Sequence, residues 1–519
     1  MKPDKMVRKV GWRQLCIFVA SIVLTADSTP NPATDTNVIA VLRRPPRVEL
    51  RNVQAIKLQI QPPVSKDEKE RILKLIRNLA NIASPDFGLS PTMSGNAFAP
   101  VPTARQVGAM MLTDHQLSTS DDLVELVSLG PKALPFLLKA LDDGTPTKLI
   151  IKHDQEYGGM WFANELGGNP GNEVEQKVLA TVPRQEFGSP RDAISSYTLK
   201  IGDVCFVIVG QIVGRSYQAV RYQPTACIAI NSPTHDAKLA GQVRAIWSSP
   251  EPAQHLLDSL LLDFASIGVF NGIGLDGWSV GSNLQIGAAM RLIYYFPRQT
   301  TNLIASRLRG LDVRKGDMAR EVADGVRPNE FIKAVSWSKE PAIQAELHRI
   351  CDVTTDPEIL RFAGMAMAGP NANDFRKRLE ETISDLPQVE PGPYGDGYNL
   401  LVSLGRQFGT EARPAFEHYL QNASTQRRHS MCKVLAEVRG DWSVDLLGPL
   451  LEDSRPADRW NYSVIPGQNE PRLPIRICDE AAETIAQNFP KLNFKMAGQH
   501  SDLDRQIQKM RDQITQHAY

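Results

Sequence analysis

Apolar residues recur at helical spacing through most of the chain. In 65–83, Ile72, Leu75, Ile76 and Leu79 line one face behind Ser65 and the acidic pair Asp67 and Glu68, which predicts a capped helix. A short helix over 121–129 is broken by Gly130-Pro131. A second over 133–141 puts Leu134, Leu137, Leu138 and Leu141 on one face, and the two together predict a helical hairpin. The same periodicity predicts helices over 252–265, 283–296, 300–311, 329–335, 341–351, 357–368, 374–386 and 398–408, and a charged closing helix over 501–514.

The pattern repeats. With Gly130 placed on Gly440, Leu134 meets Val444, Leu137 meets Leu447, Leu141 meets Leu451, and Asp142-Asp143 meets Glu452-Asp453. A third copy starts at Gly409, where Ala412, Pro414, Phe416 and Leu420 match Ala133, Pro135, Leu137 and Leu141. The partner helices match as well: IGDVCFVIVGQ from Ile201 aligns with ICDEAAETIAQ from Ile477, with Ile, Asp and the final Gln identical. Composition alone allows 201–213 to be a strand. The shared register argues for a buried helix, with an Asp near the positive end of its dipole.

The Gly409 unit, AxPxFxxYL followed by RRHSMCKVLAEV, and the LPFLLKALDD of the first unit resemble HEAT-type (HEAT/armadillo-like) α-solenoid repeats. The resemblance is best over 409–490 and extends in part to 121–215. It implies a mainly α fold, an α-solenoid of HEAT-like helical hairpins with a binding-scaffold role, and no catalytic residues. The chain departs from a plain array by two inserts between paired helices, 144–200 and 454–476. Both are rich in Gly, Pro and aromatic residues, including Trp161, Trp460 and Tyr462. Inserts at the same point of different repeats are expected either to project from one edge as functional loops or to pack down as lids. The expected plan is a signal peptide (1–28), a linker or extended arm (29–64) with one strand in 48–60, helical repeats over 65–311 carrying the first insert, and HEAT-like repeats over 312–519 carrying the second.

The first 28 residues have the layout of a secretory signal. Lys2, Lys5, Arg8, Lys9 and Arg13 precede a largely apolar stretch at 15–26, and small residues follow up to Ser28. An exported protein, periplasmic or extracellular, is expected; the alternative is an uncleaved N-terminal membrane anchor. No other stretch reaches spanning length. Lys+Arg and Asp+Glu both number 58, which removes bulk attraction to nucleic acid, so the expected partner is a protein. Six widely spaced cysteines with no CxxC pair argue against a disulfide framework or a structural zinc.

Candidate chemistry is sparse. Gly272, Gly274 and Gly277 spell GxGxxG, and Gly277, Ser279 and Gly281 spell GxSxG, yet neither follows a convincing strand, so a Gly-rich turn is expected. His429 and Cys432, with His418 before them, lack a second ligand pair for a metal. His153, Asp154 and Glu156 read as a solvated polar loop. Arg215, Tyr217, Arg221 and Tyr222 read as loop anchors rather than a recognition surface. No catalytic residue, cofactor or metal is expected. The favoured function is a protein-interaction scaffold, with Trp161, Arg221, Tyr222, Trp460 and Tyr462 as the candidate binding surface. The alternative is a hydrolytic enzyme whose site lies between the 144–200 insert and the helical stack.

Overall fold

Ser65 accepts the backbone N–H of Glu68 and opens α1 (Lys66–Asn78), whose Ile72, Leu75 and Ile76 are buried as the periodicity predicts. The computed structural model describes residues 49–50, 55–59, 63–83, 98–101, 120–153, 158–166, 172, 175, 177, 193–215, 217–222, 227–267, 284–313, 328–365, 367, 372–386, 395–457, 462–463 and 473–516. The signal segment 1–28, the 272–281 glycine loop with Ser279, Asp154, Glu156 and Trp460 lie outside them. The described residues are predominantly α-helical.

After α1 come α2 (Asp121–Leu129), α3 (Leu134–Lys139), α4 (Ile201–Val213), α5 (Ala237–Trp247) and α6 (Pro252–Ala265). α1 packs on α2, and both α2 and α3 pack on α4, which is buried along its whole length. The 201–213 stretch is therefore a helix, as the repeat register argued. Next come α7 (Leu284–Tyr295), α8 (Pro297–Arg309), α9 (Pro328–Val335), α10 (Pro341–Val353), α11 (Pro357–Gly364) and α12 (Ala372–Ser384). The chain then forms α13 (Asp396–Phe408), α14 (Arg413–Leu420), α15 (Thr425–Val438), α16 (Ser443–Leu447), α17 (Ile477–Asn488) and α18 (His500–Thr515).

The odd-numbered helices of this later part form one row. α7 packs on α9, α9 on α11, α11 on α13, α13 on α15 and α15 on α17, while α8 packs on α10 and α12 on α14. Two helices end in the same way: Gly130 after α2 (φ 54°) and Gly409 after α13 (φ 55°) adopt a positive φ that strains any residue with a Cβ. Each is followed by a 3-10 turn and a proline-led helix, α3 and α14.

The two insert-bearing hairpins share one stem. Gly202 N–H donates to the Asp143 carbonyl at 3.0 Å, and Cys478 N–H to that of Asp453 at 2.9 Å. Ile201 N–H donates to Thr145 O, and Ile477 N–H to Arg455 O, both at 2.9 Å. Pro146 faces Lys200, and Pro456 faces Arg476, as antiparallel partners. The aligned apolar positions Leu134 and Val444, Leu137 and Leu447, and Leu141 and Leu451 are all buried.

The first insert is not a loop, contrary to expectation. It opens with β2 and closes with an antiparallel partner, so β-structure enters the helical fold here. In chain order the strands are β1 (Glu49–Leu50), β2 (Pro146–Lys152), β3 (Met160–Ala163), β4 (Ser196–Lys200), β5 (Val220–Tyr222), β6 (Ile228–Asn231), β7 (Ser266–Ile267), β8 (Tyr462–Ser463) and β9 (Leu473–Pro474). β2 pairs with β4, β3 runs parallel to β6, and β5 runs antiparallel to β6. The reason is the period-2 alternation of Thr147, Leu149 and Ile151 inward against Lys148, Ile150 and Lys152 outward. Among the described residues of the expected 48–60 strand, only β1 is a strand, paired with β7. No helix among the described residues is long and apolar enough to cross a membrane.

Candidate interaction site on the first insert

β6 carries the site. Ala229 faces Trp161 of β3 on one side and Arg221 of β5 on the other, so these two sequence-selected residues lie on one face of the sheet. Their surroundings differ. Trp161 is half-buried, whereas Arg221 is 7% exposed and donates from Nε to Glu165 Oε2 at 2.7 Å, with a second bond closing the fork. Asn231 Nδ2 donates to the same Glu165 oxygen at 3.0 Å. Arg221 therefore holds the sheet together and is no free recognition anchor. Tyr222 lies on β5 and Tyr462 on β8, but their side chains are outside the described residues, and Trp460 is wholly outside them.

Phe162, next to Trp161, stacks on the exposed His235 ring with centroids 3.6 Å apart, and Tyr197 of β4 meets Phe162 edge-on. Behind these rings sits a carboxylate that the sequence singled out only for its helix dipole. Asp203, near the start of α4, accepts from Ser232 Oγ (2.6 Å), Tyr197 Oη (2.8 Å), the Lys200 N–H (2.8 Å) and Thr234 Oγ1 (3.3 Å). Burial pushes its pKa up despite these donors, and burial together with the Asp203 charge raises that of Tyr197. Asp203 is 0% and Ser232 1% exposed, so no substrate reaches them. The cluster ties β4, α4 and the β6–α5 turn into one piece.

A second cluster anchors the far part of the insert. Arg215, directly after α4, donates to Glu175 Oε2 (2.8 Å), Asp263 Oδ2 (2.7 Å) and Asp263 Oδ1 (3.0 Å), all fully enclosed. Asn172 Nδ2 donates to Ser259 Oγ at 2.8 Å beside it. Burial works against the Arg215 cation, but the two carboxylates outweigh it and hold its pKa well above normal. Burial raises the Asp263 carboxyl to about 6; Arg215 opposes this and the Glu175 charge adds to it. Trp247 Nε1 donates to Tyr217 Oη at 3.0 Å, and Tyr217 stacks on Phe206. The Arg215–Tyr217–Arg221 group is structural, as its composition suggested. Glu175 and Asp263 had no sequence signal, because their partner lies on a different element.

The remaining candidates do not converge. His429 Nε2 is 3.7 Å from Glu480 Oε1, beyond hydrogen-bonding distance, and no group of potential ligands among the described residues is arranged to hold a metal. A concavity of about 370 Å³ is lined by Met367 and by residues of α10 and α12, among them His348, Asp352, Asp374 and Arg378, and by no residue of the first insert. No protein-family model, curated protein or solved structure matches the chain.

Proposed function

We propose that the chain is an exported α-solenoid of HEAT-like hairpins that serves as a protein-interaction scaffold, with recognition on the insert side near Trp161. The observation that carries this reading is the continuous row of alternate helices from α7 to α17, as expected where stacked hairpins bury one core and leave an extended binding surface. The shared stem of the two insert-bearing hairpins supports it, since a repeat tolerates additions at a fixed edge. The Asp203–Ser232 cluster is sealed from solvent and lends the hydrolytic alternative no support.

The test is affinity capture from the producing cells with the chain from residue 29 onward as bait. A protein retained by the wild-type chain and lost with Trp161→Ala supports the scaffold. Retention of nothing, together with turnover of ester or peptide substrates, defeats it. Mass spectrometry of the exported protein should find a start near Thr29, and an intact Met1 in the cytosol would defeat the export claim.

A further inference from the structure

Among the described residues β2 is paired on one side only. His153 N–H donates across to Ser195 O, so alternation turns the backbone N–H and C=O of Ile150 and Lys152 to the opposite edge. Neither group finds a partner there among the described residues. The strand is rooted by buried Leu149 and Ile151, so this edge is held ready rather than assembled on binding. Its outward face presents Lys148, Ile150 and Lys152 in sequence. Among the described residues Ile150, 48% exposed, is one of two large hydrophobic residues so exposed, and neither lysine makes an ion pair.

We propose that the outer edge of β2 receives an extended, acidic segment of a partner protein by strand addition. The proposal rests on the scaffold reading and specifies its partner. Edge lysines usually guard against indiscriminate pairing, and here they do so selectively. An antiparallel second copy centred on Ile150 would set Lys148 against Lys152 twice, like charges directly opposed. A segment with the pattern acidic–x–apolar–x–acidic meets every exposed group instead. Its apolar residue covers Ile150, its acids face Lys148 and Lys152, and its backbone takes up the open N–H and C=O groups. The same lysines thus exclude self-pairing and select the partner.

The experiment uses the full chain and fluorescence anisotropy of a labelled peptide, Thr-Glu-Thr-Val-Thr-Glu-Thr. Saturable binding is expected. N-methylation of the peptide's Val should abolish it, because the edge hydrogen bond is lost. The Lys148→Glu/Lys152→Glu double variant should bind about tenfold more weakly and should accept the Thr-Lys-Thr-Val-Thr-Lys-Thr peptide instead. Both substitutions are on exposed side chains, and the circular dichroism spectrum of the variant should match that of the wild type. Equal binding of the N-methylated peptide, or no binding of the acidic peptide at ~1 mM, overturns the proposal. So does tighter lysine-dependent binding to phosphatidylglycerol vesicles or duplex DNA, or dimerisation lost in the double variant. A photo-crosslinking residue in place of Ile150 or of Trp161, used in the producing cells, separates the two readings. Partners trapped at 161 but not at 150 defeat the edge site alone, and partners trapped at neither defeat the scaffold as well.

Discussion

Asp203 and Asp479 hold the same position in two different hairpins: each accepts the backbone N–H of the residue three places before it, Lys200 at 2.8 Å and Arg476 at 3.0 Å. Their remaining partners differ. Asp203 takes three hydroxyls, whereas Asp479 takes the Arg476 guanidinium, which also reaches Asp504 of α18. Asp203→Ala removes the acceptor shared by buried Ser232 and half-buried Tyr197 and Thr234, and should cost about 2–4 kcal/mol of unfolding free energy. Asp479→Ala leaves an arginine that keeps Asp504, and should cost less. Chemical denaturation of the two variants checks the order.

The Asp263 carboxyl gives the fold a pH dependence. Its folded value of about 6 lies above the ~3.9 of an unfolded Asp, so the folded chain takes up the proton first as pH falls. Its contribution is complete below about pH 4 and is lost as pH rises through 6. Between pH 7 and 5 the wild type should gain about 1–2 kcal/mol relative to Asp263→Asn. Urea midpoints of both proteins across that range test this, and parallel curves would contradict it.

Arg221 and Trp161 separate stability from recognition. Arg221→Ala takes the cation from the partly buried Glu165 carboxylate and should lower stability by about 2–4 kcal/mol. Trp161→Ala removes a half-buried ring and should change stability by about 1 kcal/mol or less while reducing partner capture. Thermal melts and capture yields for the pair should diverge in this way.

Replacement of the first insert by a short linker should unfold α4 and its neighbours. Met160 and Leu166 are core residues, and Glu175 is one of the two carboxylates on Arg215. Part of the insert thus packs down rather than projecting. A replaced chain that melts with wild-type cooperativity would show that these contacts contribute little.

The helices were legible because burial imposes a 3.6-residue period, and 201–213 was legible only through its register with 477–487. α5 went unread, although Asp236 caps it and Leu239, Ala240, Val243 and Trp247 follow at helical spacing. The β2–β4 ribbon went unread because the insert's Gly, Pro and aromatic content masked a seven-residue alternation. Of the candidate surface, the sequence marked Trp161 and Arg221 but could not tell them apart. The difference is Glu165, a contact between residues distant in the chain. The Arg215 cluster was illegible for the same reason, since its members come from the insert, the end of α4 and α6.

The common stem makes the insertion point a socket. Where Pro146 faces Lys200 and Pro456 faces Arg476, the chain leaves and re-enters the helices side by side. The same backbone bonds close the stem around two inserts of different length, 144–200 and 454–476, although the first of them also supplies core residues to the helices. The hairpin is a fixed port through which segments of different length leave and re-enter the helices, and the first of them has become part of the core it departs from.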